Sequence, residues 1–174
     1  CSRKNTTDFL NRVYQLEKPD LVVHTGDIVD WASTPAEKAM DEVYGVAINN
    51  NLKWVASLGN HDGQADLTRQ QVMDYIVSLN NTLTQLGPFN DLYTWGNYYL
   101  EIKYNNMTKF RTYHLSSNTN SVSINKEQVA WYNYTARFLN SLTPAPALTF
   151  FHIPLQEYQT ALNLNTSELI GTQN

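Results

Sequence analysis

Positive charge is scarce in this chain. Twelve Lys and Arg stand against 16 Asp and Glu, for a net charge of −4 and a pI near 5.5. Nucleic-acid binding needs a basic face, so this balance argues against such a partner. No apolar run approaches the ~18 residues of a membrane-crossing helix, and no membrane span is expected. Cysteine is limited to Cys1. Any disulfide would need a partner outside this stretch or on another chain. No signal peptide is recognisable, although a mature or trimmed chain would read the same. Internal repeats and a linker are also missing, so residues 1–174 read as a single domain, long enough for a substantial core.

What the chain has in excess is asparagine, 20 of 174 residues. Asn5, Asn80, Asn106, Asn133 and Asn165 each stand in an N-x-Ser/Thr sequon, the acceptor pattern for N-linked glycans. With the low Lys and Arg content and the many tyrosines, these sequons predict a secreted or extracellular glycoprotein.

The order of elements is alternating. Thr6 or Thr7 is placed to cap a helix running to about Glu17, with Phe9, Leu10, Val13 and Leu16 on one face. Pro19 ends it, and Leu21 to Thr25 reads as a strand too uniformly apolar for a solvated edge. Thr34-Pro35-Ala36-Glu37 has the form of a capping box with proline at the first helical position. Ala36, Ala39, Met40, Val43 and Ala47 form the stripe of that helix. Lys53 to Leu58 is a second strand, and Thr68 caps a helix to about Leu79. Tyr98 to Tyr104 and Phe110 to Leu115 read as a hairpin around the turn-prone pair Asn105-Asn106. A helix starting near Asn125 and a short strand, Ala147 to Phe151, follow, and the tail beyond Tyr158 carries no strong signal. Strands alternating with helices predict an α/β fold.

The chemistry gathers after the strands. Gly26-Asp27 follows the first, Gly59-Asn60-His61-Asp62 the second, and His152 the last. Open α/β sheets bind ligands at this carboxyl edge. Carboxylate, amide oxygen and imidazole together suit a borderline divalent metal such as Zn, Mn or Fe. Each residue alone has a plainer reading: Asp and Asn are turn formers, and a single His near a core is usually a packed, hydrogen-bonded one. That plainer reading is kept for His24, on a buried strand, and for His114, in the hairpin. The combined pattern points to a site.

Gly26-Asp27-x-x-Asp30, Gly59-Asn60-His61-Asp62 and His152 resemble the calcineurin-like metallophosphoesterase superfamily. Lys18-Pro19-Asp20-Leu21-Val22-Val23, Leu67-Thr68-Arg69-Gln70-Gln71-Val72 and Phe150-Phe151-His152-Ile153-Pro154-Leu155 further resemble its purple-acid-phosphatase-like branch of plants, oomycetes and fungi. The resemblance implies a calcineurin-like phosphoesterase fold, central β-sheets flanked by helices. It implies a dinuclear site hydrolysing phosphate esters, with Asp27 bridging two metals and Asn60 and His152 binding the second. His61 would be the general acid or phosphate contact, with Asp62 orienting its imidazole. Asp30 stands where purple enzymes carry a ferric-binding Tyr, so a ferric centre is not expected and Asp30 reads as a turn or supporting residue. The family's Asp-x-His and Gly-His-x-His motifs are not found in these 174 residues. On its pattern, one metal site keeps three of four protein ligands and the other keeps only Asp27. The domain therefore reads as partial, and the isolated chain as inactive.

Two functions stay open on these grounds. One is a metal-dependent phosphoesterase acting on a phosphate ester. The other is a non-catalytic extracellular glycoprotein using the fold as a structural, fibre-forming or binding module. Unpaired strand edges would allow such self-assembly.

Overall fold

The computed structural model describes residues 3–88, 94–118 and 124–163. The order is α1 (Arg3–Glu17), β1 (Leu21–His24), α2 (Ala36–Asn49), β2 (Lys53–Ala56), α3 (Arg69–Ser78), β3 (Tyr98–Tyr104), β4 (Met107–Leu115), α4 (Lys126–Leu142), β5 (Ala147–Phe151) and α5 (Gln156–Asn163). The expected α/β alternation is present. β1 and β2 pair in parallel, Leu21 opposite Lys53 and His24 opposite Ala56. A second sheet has the order β3-β4-β5, antiparallel across the hairpin and parallel between β4 and β5.

The main core forms where α1, α2 and α3 cover β1 and β2. Tyr44 and Trp54 stack at 4.4 Å with Met40, Met73 and Ile76 fully enclosed around them. β1 has one strand neighbour among the described residues, so the central position expected from its hydrophobicity is not met there. Val22 packs against the helical core, and the His24 ring meets Tyr44 edge-on at 5.0 Å. All four residues of β1 are half-buried.

The second strand ends at Ala56, two residues earlier than its composition suggests. At that point the chain exchanges partners. Ser57 N–H still donates to the His24 carbonyl at 3.0 Å, but Leu58 N–H donates to Ser116 Oγ and the Leu58 carbonyl accepts from Ser117 N–H, both at 2.8 Å. Tyr98 Oη donates to the Ala56 carbonyl at 2.8 Å. The two sheets are thus joined where β2 leaves one and meets the end of β4 in the other.

Helix starts test local sequence rules directly. Thr68 with Gln71, and Asn125 with Gln128, form reciprocal capping boxes. The box expected at Thr34 does not form. Pro35 is the capping residue and has no side-chain acceptor, and the Ala36 N–H is instead taken by Asp66 Oδ1 at 2.9 Å. A carboxylate thirty residues away wins because the loop after β2 folds back over this helix start. α1 begins at Arg3, before Thr6 and Thr7. Thr7 Oγ1 donates to the Lys4 carbonyl at 2.9 Å, an in-helix use of the hydroxyl rather than a cap. The hairpin turns at Asn105-Asn106 as expected, both with positive φ, 50° and 60°, a conformation asparagine tolerates. Cys1, Asn165 and most of the tail after Tyr158 lie outside the described residues.

Candidate metal and phosphate site

The loops after β1 and β2 are packed backbone to backbone, and this explains both of their glycines. A Cβ on Gly26, which has φ +109°, would sit 2.1 Å from the Gly59 nitrogen; one on Gly59 would sit 2.1 Å from Asp27 Oδ1. No side chain fits between them.

Asp62 ties the loops together. Its carboxylate is 2% exposed and accepts four backbone N–H groups. Oδ2 takes Asp27 and Gly59, at 2.8 and 2.7 Å; Oδ1 takes Ile28 and Val29, both at 3.0 Å. Burial pushes the Asp62 carboxyl up, and the N–H donors from Val29, Gly59 and Asp27 oppose that. Arg69, at the start of α3, closes the same knot from the other side. Its Nη1 donates to the carbonyls of Gly59 and Asp62, both at 2.8 Å, and its Nη2 to that of Ser117. One guanidinium thereby holds the β2 loop against the end of β4.

This knot presents Asp27. The residue has φ +56°, strained for anything but glycine and tolerable for Asp, and its carboxylate is pointed at two neighbours. Oδ1 accepts from the His61 N–H at 2.9 Å; Oδ2 lies 2.9 Å from His152 Nε2. Both Asp27 and His152 side chains are 25% exposed, so the pair opens to solvent. Asn60, between Gly59 and His61, is half-buried.

His61 is exposed, and its Nδ1 is 2.8 Å from Gln64 Oε1. This corrects the expectation that Asp62 orients the imidazole. Asp62 turns inward because four unpaired N–H groups there need an acceptor, and Gln64, one turn of chain later, serves His61. With the Gln64 carbonyl oxygen as partner, Nδ1 carries the proton, and this leaves Nε2 as the basic nitrogen. The Gln64 bond raises the His61 pKa above its ordinary value, helped by the fields of Asp27, Asp30 and Asp62. Replacing Gln64 by Ala should lower the His61 midpoint toward 6.5 in a histidine NMR titration, leaving the protonated form less populated at neutral pH.

The remaining expectations resolve simply. Asp30 forms a tight turn, its Oδ1 accepting from Ala32 N–H and the Ser33 hydroxyl, and these bonds, the Ser33 one foremost, hold its pKa below the usual value. His24 and His114 are packing residues. His114 is fully buried and stacked between Tyr98 and Phe150, at 4.7 and 5.4 Å.

Sequence reasoning missed Arg69, Gln64 and Gln128. Gln128 caps α4 and also donates from its buried Nε2 to Asn97 Oδ1 and the Ser116 carbonyl, at 2.7 and 2.8 Å. Its capping-box spacing from Asn125 was a visible signal. For Arg69 the signals were a lone basic residue just after a helix cap and its place in the segment Leu67 to Val72 that resembles the family branch.

A model of the family described as calcineurin-like phosphoesterase matches residues 2–165. The chain belongs to the calcineurin-like phosphoesterase family. Among its relatives, Probable inactive purple acid phosphatase 29 of Arabidopsis thaliana is 38% identical over 91% of this chain and 48% of its own length. Probable inactive purple acid phosphatase 14 of the same plant is 32% identical over 99% of this chain and 50% of its own. Phosphatase DCR2 of Saccharomyces cerevisiae is 29% identical over 97% of this chain and 32% of its own. The chain spans about half the length of the Arabidopsis relatives. A crystal structure of a dimetal phosphatase from Danio rerio superposes with a TM-score of 0.56 at 18% identity, covering 85% of this chain and 60% of that one. The likeness supports the fold.

The family suggests divalent metals, and the residues present fit part of such a site. A carboxylate oxygen and an imidazole nitrogen 2.9 Å apart, both solvent-accessible, are spaced as neighbouring ligands of one cation with bonds of about 2.1 Å. Among the described residues, however, no three His, Cys, Asp or Glu side chains come together as a metal-binding group. The donors in place therefore suit one side of one ion.

Proposed function

We propose that this domain belongs to a divalent-metal-dependent phosphoric ester hydrolase, with Asp27, His152 and Asn60 holding the cation and His61 serving the ester. The observation that carries this is the Asp27 carboxylate, which meets His152 on one oxygen and the His61 backbone on the other. Zn, Mn or Fe suits the donor set. The ion, when bound, supplies charge neutralisation for the phosphate and acidity for its own water.

The chain's residues do the rest. The Asp62 and Arg69 knot fixes the loop geometry, so the Asp27 carboxylate stays in place without rearrangement. Gln64 favours the Nδ1–H form of His61 and raises its pKa, so Nε2 is the nitrogen that would take up a proton and donate it to a departing alkoxide. Four sequon asparagines, Asn5, Asn80, Asn106 and Asn133, are exposed, which supports a secreted or extracellular location.

The test is hydrolysis of p-nitrophenyl phosphate by the full-length, metal-free protein after addition of Zn²⁺, Mn²⁺ or Fe²⁺. Metal-dependent turnover that falls at least ~100-fold in Asp27→Asn is expected. Turnover unaffected by that substitution, or none with any of the three ions, overturns the reading.

In a second reading the fold is a non-catalytic extracellular module, and the exposed edge of β5 is the observation that favours it. The Arabidopsis relatives named inactive are in keeping with it. β5 pairs only with β4 among the described residues and carries Leu148 at 55% exposure, an edge suited to pairing with another chain. Light scattering that finds only monomers, alongside metal-dependent turnover, excludes this second reading.

A further inference from the structure

The loop between β1 and α2 carries Trp31, which is 75% exposed, more than any other large hydrophobic side chain among the described residues. The other three tryptophans are buried or half-buried. Single apolar side chains on a surface are ordinary. Trp31 differs from Phe9 or Tyr134, also exposed, in where its loop lies and in how firmly that loop is held. We propose that Trp31 is the stacking platform for the leaving group of the ester, and that the substrates are phosphate esters carrying a flat aromatic ring.

Placement is the first support. Trp31 comes four residues after Asp27 and directly follows Asp30. The Asp30 carboxylate is close enough to His61 for the field of each to shift the other's pKa, Asp30 downward and His61 upward. Consecutive Cα atoms are ~3.8 Å apart, so the indole starts from backbone adjoining the His61 side of the site.

Rigidity is the second. The Ile28 and Val29 N–H groups are both bonded to Asp62 Oδ1 at 3.0 Å, and Asp66 holds the Ala36 N–H at the far end of the loop. Between these anchors the Ser33 N–H donates to the Asp30 carbonyl at 2.9 Å and the Ser33 hydroxyl to Asp30 Oδ1 at 2.8 Å. A turn is thereby closed with Trp31 inside it. A loose loop would lay an indole on the nearest apolar surface, because burying so large a ring is strongly favourable. This turn holds it out.

The chemistry of the ring is the third. An indole face stacks on any flat π-system, and with two side-chain torsions it loses little freedom in doing so. Stacking of a base on an aromatic side chain changes affinity by about tenfold. An alkyl group offers no such face. Aryl phosphates and nucleotides share the ring, at different distances from phosphorus.

The proposal rests on the hydrolase reading, and its test separates the two. Full-length zinc-loaded protein is titrated calorimetrically with three non-hydrolysable probes: methylphosphonate, phenylphosphonate and the phosphonate analogue of 5′-AMP. At least one ring-bearing probe should bind about tenfold more tightly than methylphosphonate. That probe, and not methylphosphonate, should shift the Trp31 indole N–H in the NMR spectrum. Trp31→Ala should weaken it to the level of methylphosphonate, and Trp31→Phe should retain most of the preference. Whichever of the two probes behaves this way names the source of the ring. Equal binding of all three probes, or a preference that survives in Trp31→Ala, overturns the role of Trp31 and leaves the hydrolase reading standing. If none of the probes binds the zinc-loaded protein, both fall.

Discussion

Asp62→Ala is expected to destabilise the protein by about 4 kcal/mol or more, measured as a lower denaturation midpoint in urea. The substitution leaves the N–H groups of Asp27, Ile28, Val29 and Gly59 without their acceptor, in a site too enclosed for water to replace it fully. Each buried donor without a partner costs roughly 1–3 kcal/mol, offset in part by removal of a buried charge. Asp62→Asn is the sharper experiment. The amide keeps the shape but has one oxygen, so two of the four N–H groups would face an NH₂. A loss of about 3 kcal/mol is expected, smaller than for Ala but well beyond an ordinary isosteric change. If Asp62 acted mainly by orienting His61, Asn would fold normally and only the histidine titration would move.

Acid is the second large effect. Burial lowers the pKa of both His24 and His114 to about 4. His24 Nε2 and His114 Nδ1 are enclosed without hydrogen-bond partners among the described residues, so neither atom has an acceptor there ready for a second proton. The unfolded chain protonates these rings near pH 6.5 and the folded chain only near 4. Between those values the unfolded state binds more protons, so stability falls as pH falls. The linkage relation gives about 2 kcal/mol per histidine between pH 7 and pH 5, or about 4 for the pair. His114→Phe isolates one of them. Phenylalanine keeps the stack between Tyr98 and Phe150, so its urea stability should vary with pH by about 2 kcal/mol less than wild type over the same range. An equal pH dependence in both would refute the assignment to His114.

What the sequence made legible was local or periodic. The cap at Thr68, the helix start near Asn125, the hairpin at Asn105-Asn106 and the order of strands and helices follow from short-range rules, and the structure shows them. What it hid depends on approach in space. Thr34 has the spacing of a cap, but Asp66 reaches the helix start. Asp62 stands beside His61 in sequence, yet the chain turns its carboxylate toward the β1 loop, where four donors converge. Gly26 and Gly59 were legible as glycines at turns. Their actual constraint is the other loop, and that is visible only once both strands are in place. That Asp27 and His152 belong to one site was legible from their places after strands; their roles as ligands of one ion came from the family pattern.

The central claim is that Asp27 and His152 share one divalent cation. Its most direct test is Zn²⁺ titration of the metal-free protein, with the four histidine rings followed by NMR. The account predicts that His152 shifts at Nε2 as its contact with Asp27 Oδ2 is replaced by the ion, that His24 and His114 stay unmoved, and that Asp27→Asn abolishes the shift. Zinc binding that leaves His152 unmoved, or that persists unchanged in Asp27→Asn, would contradict it.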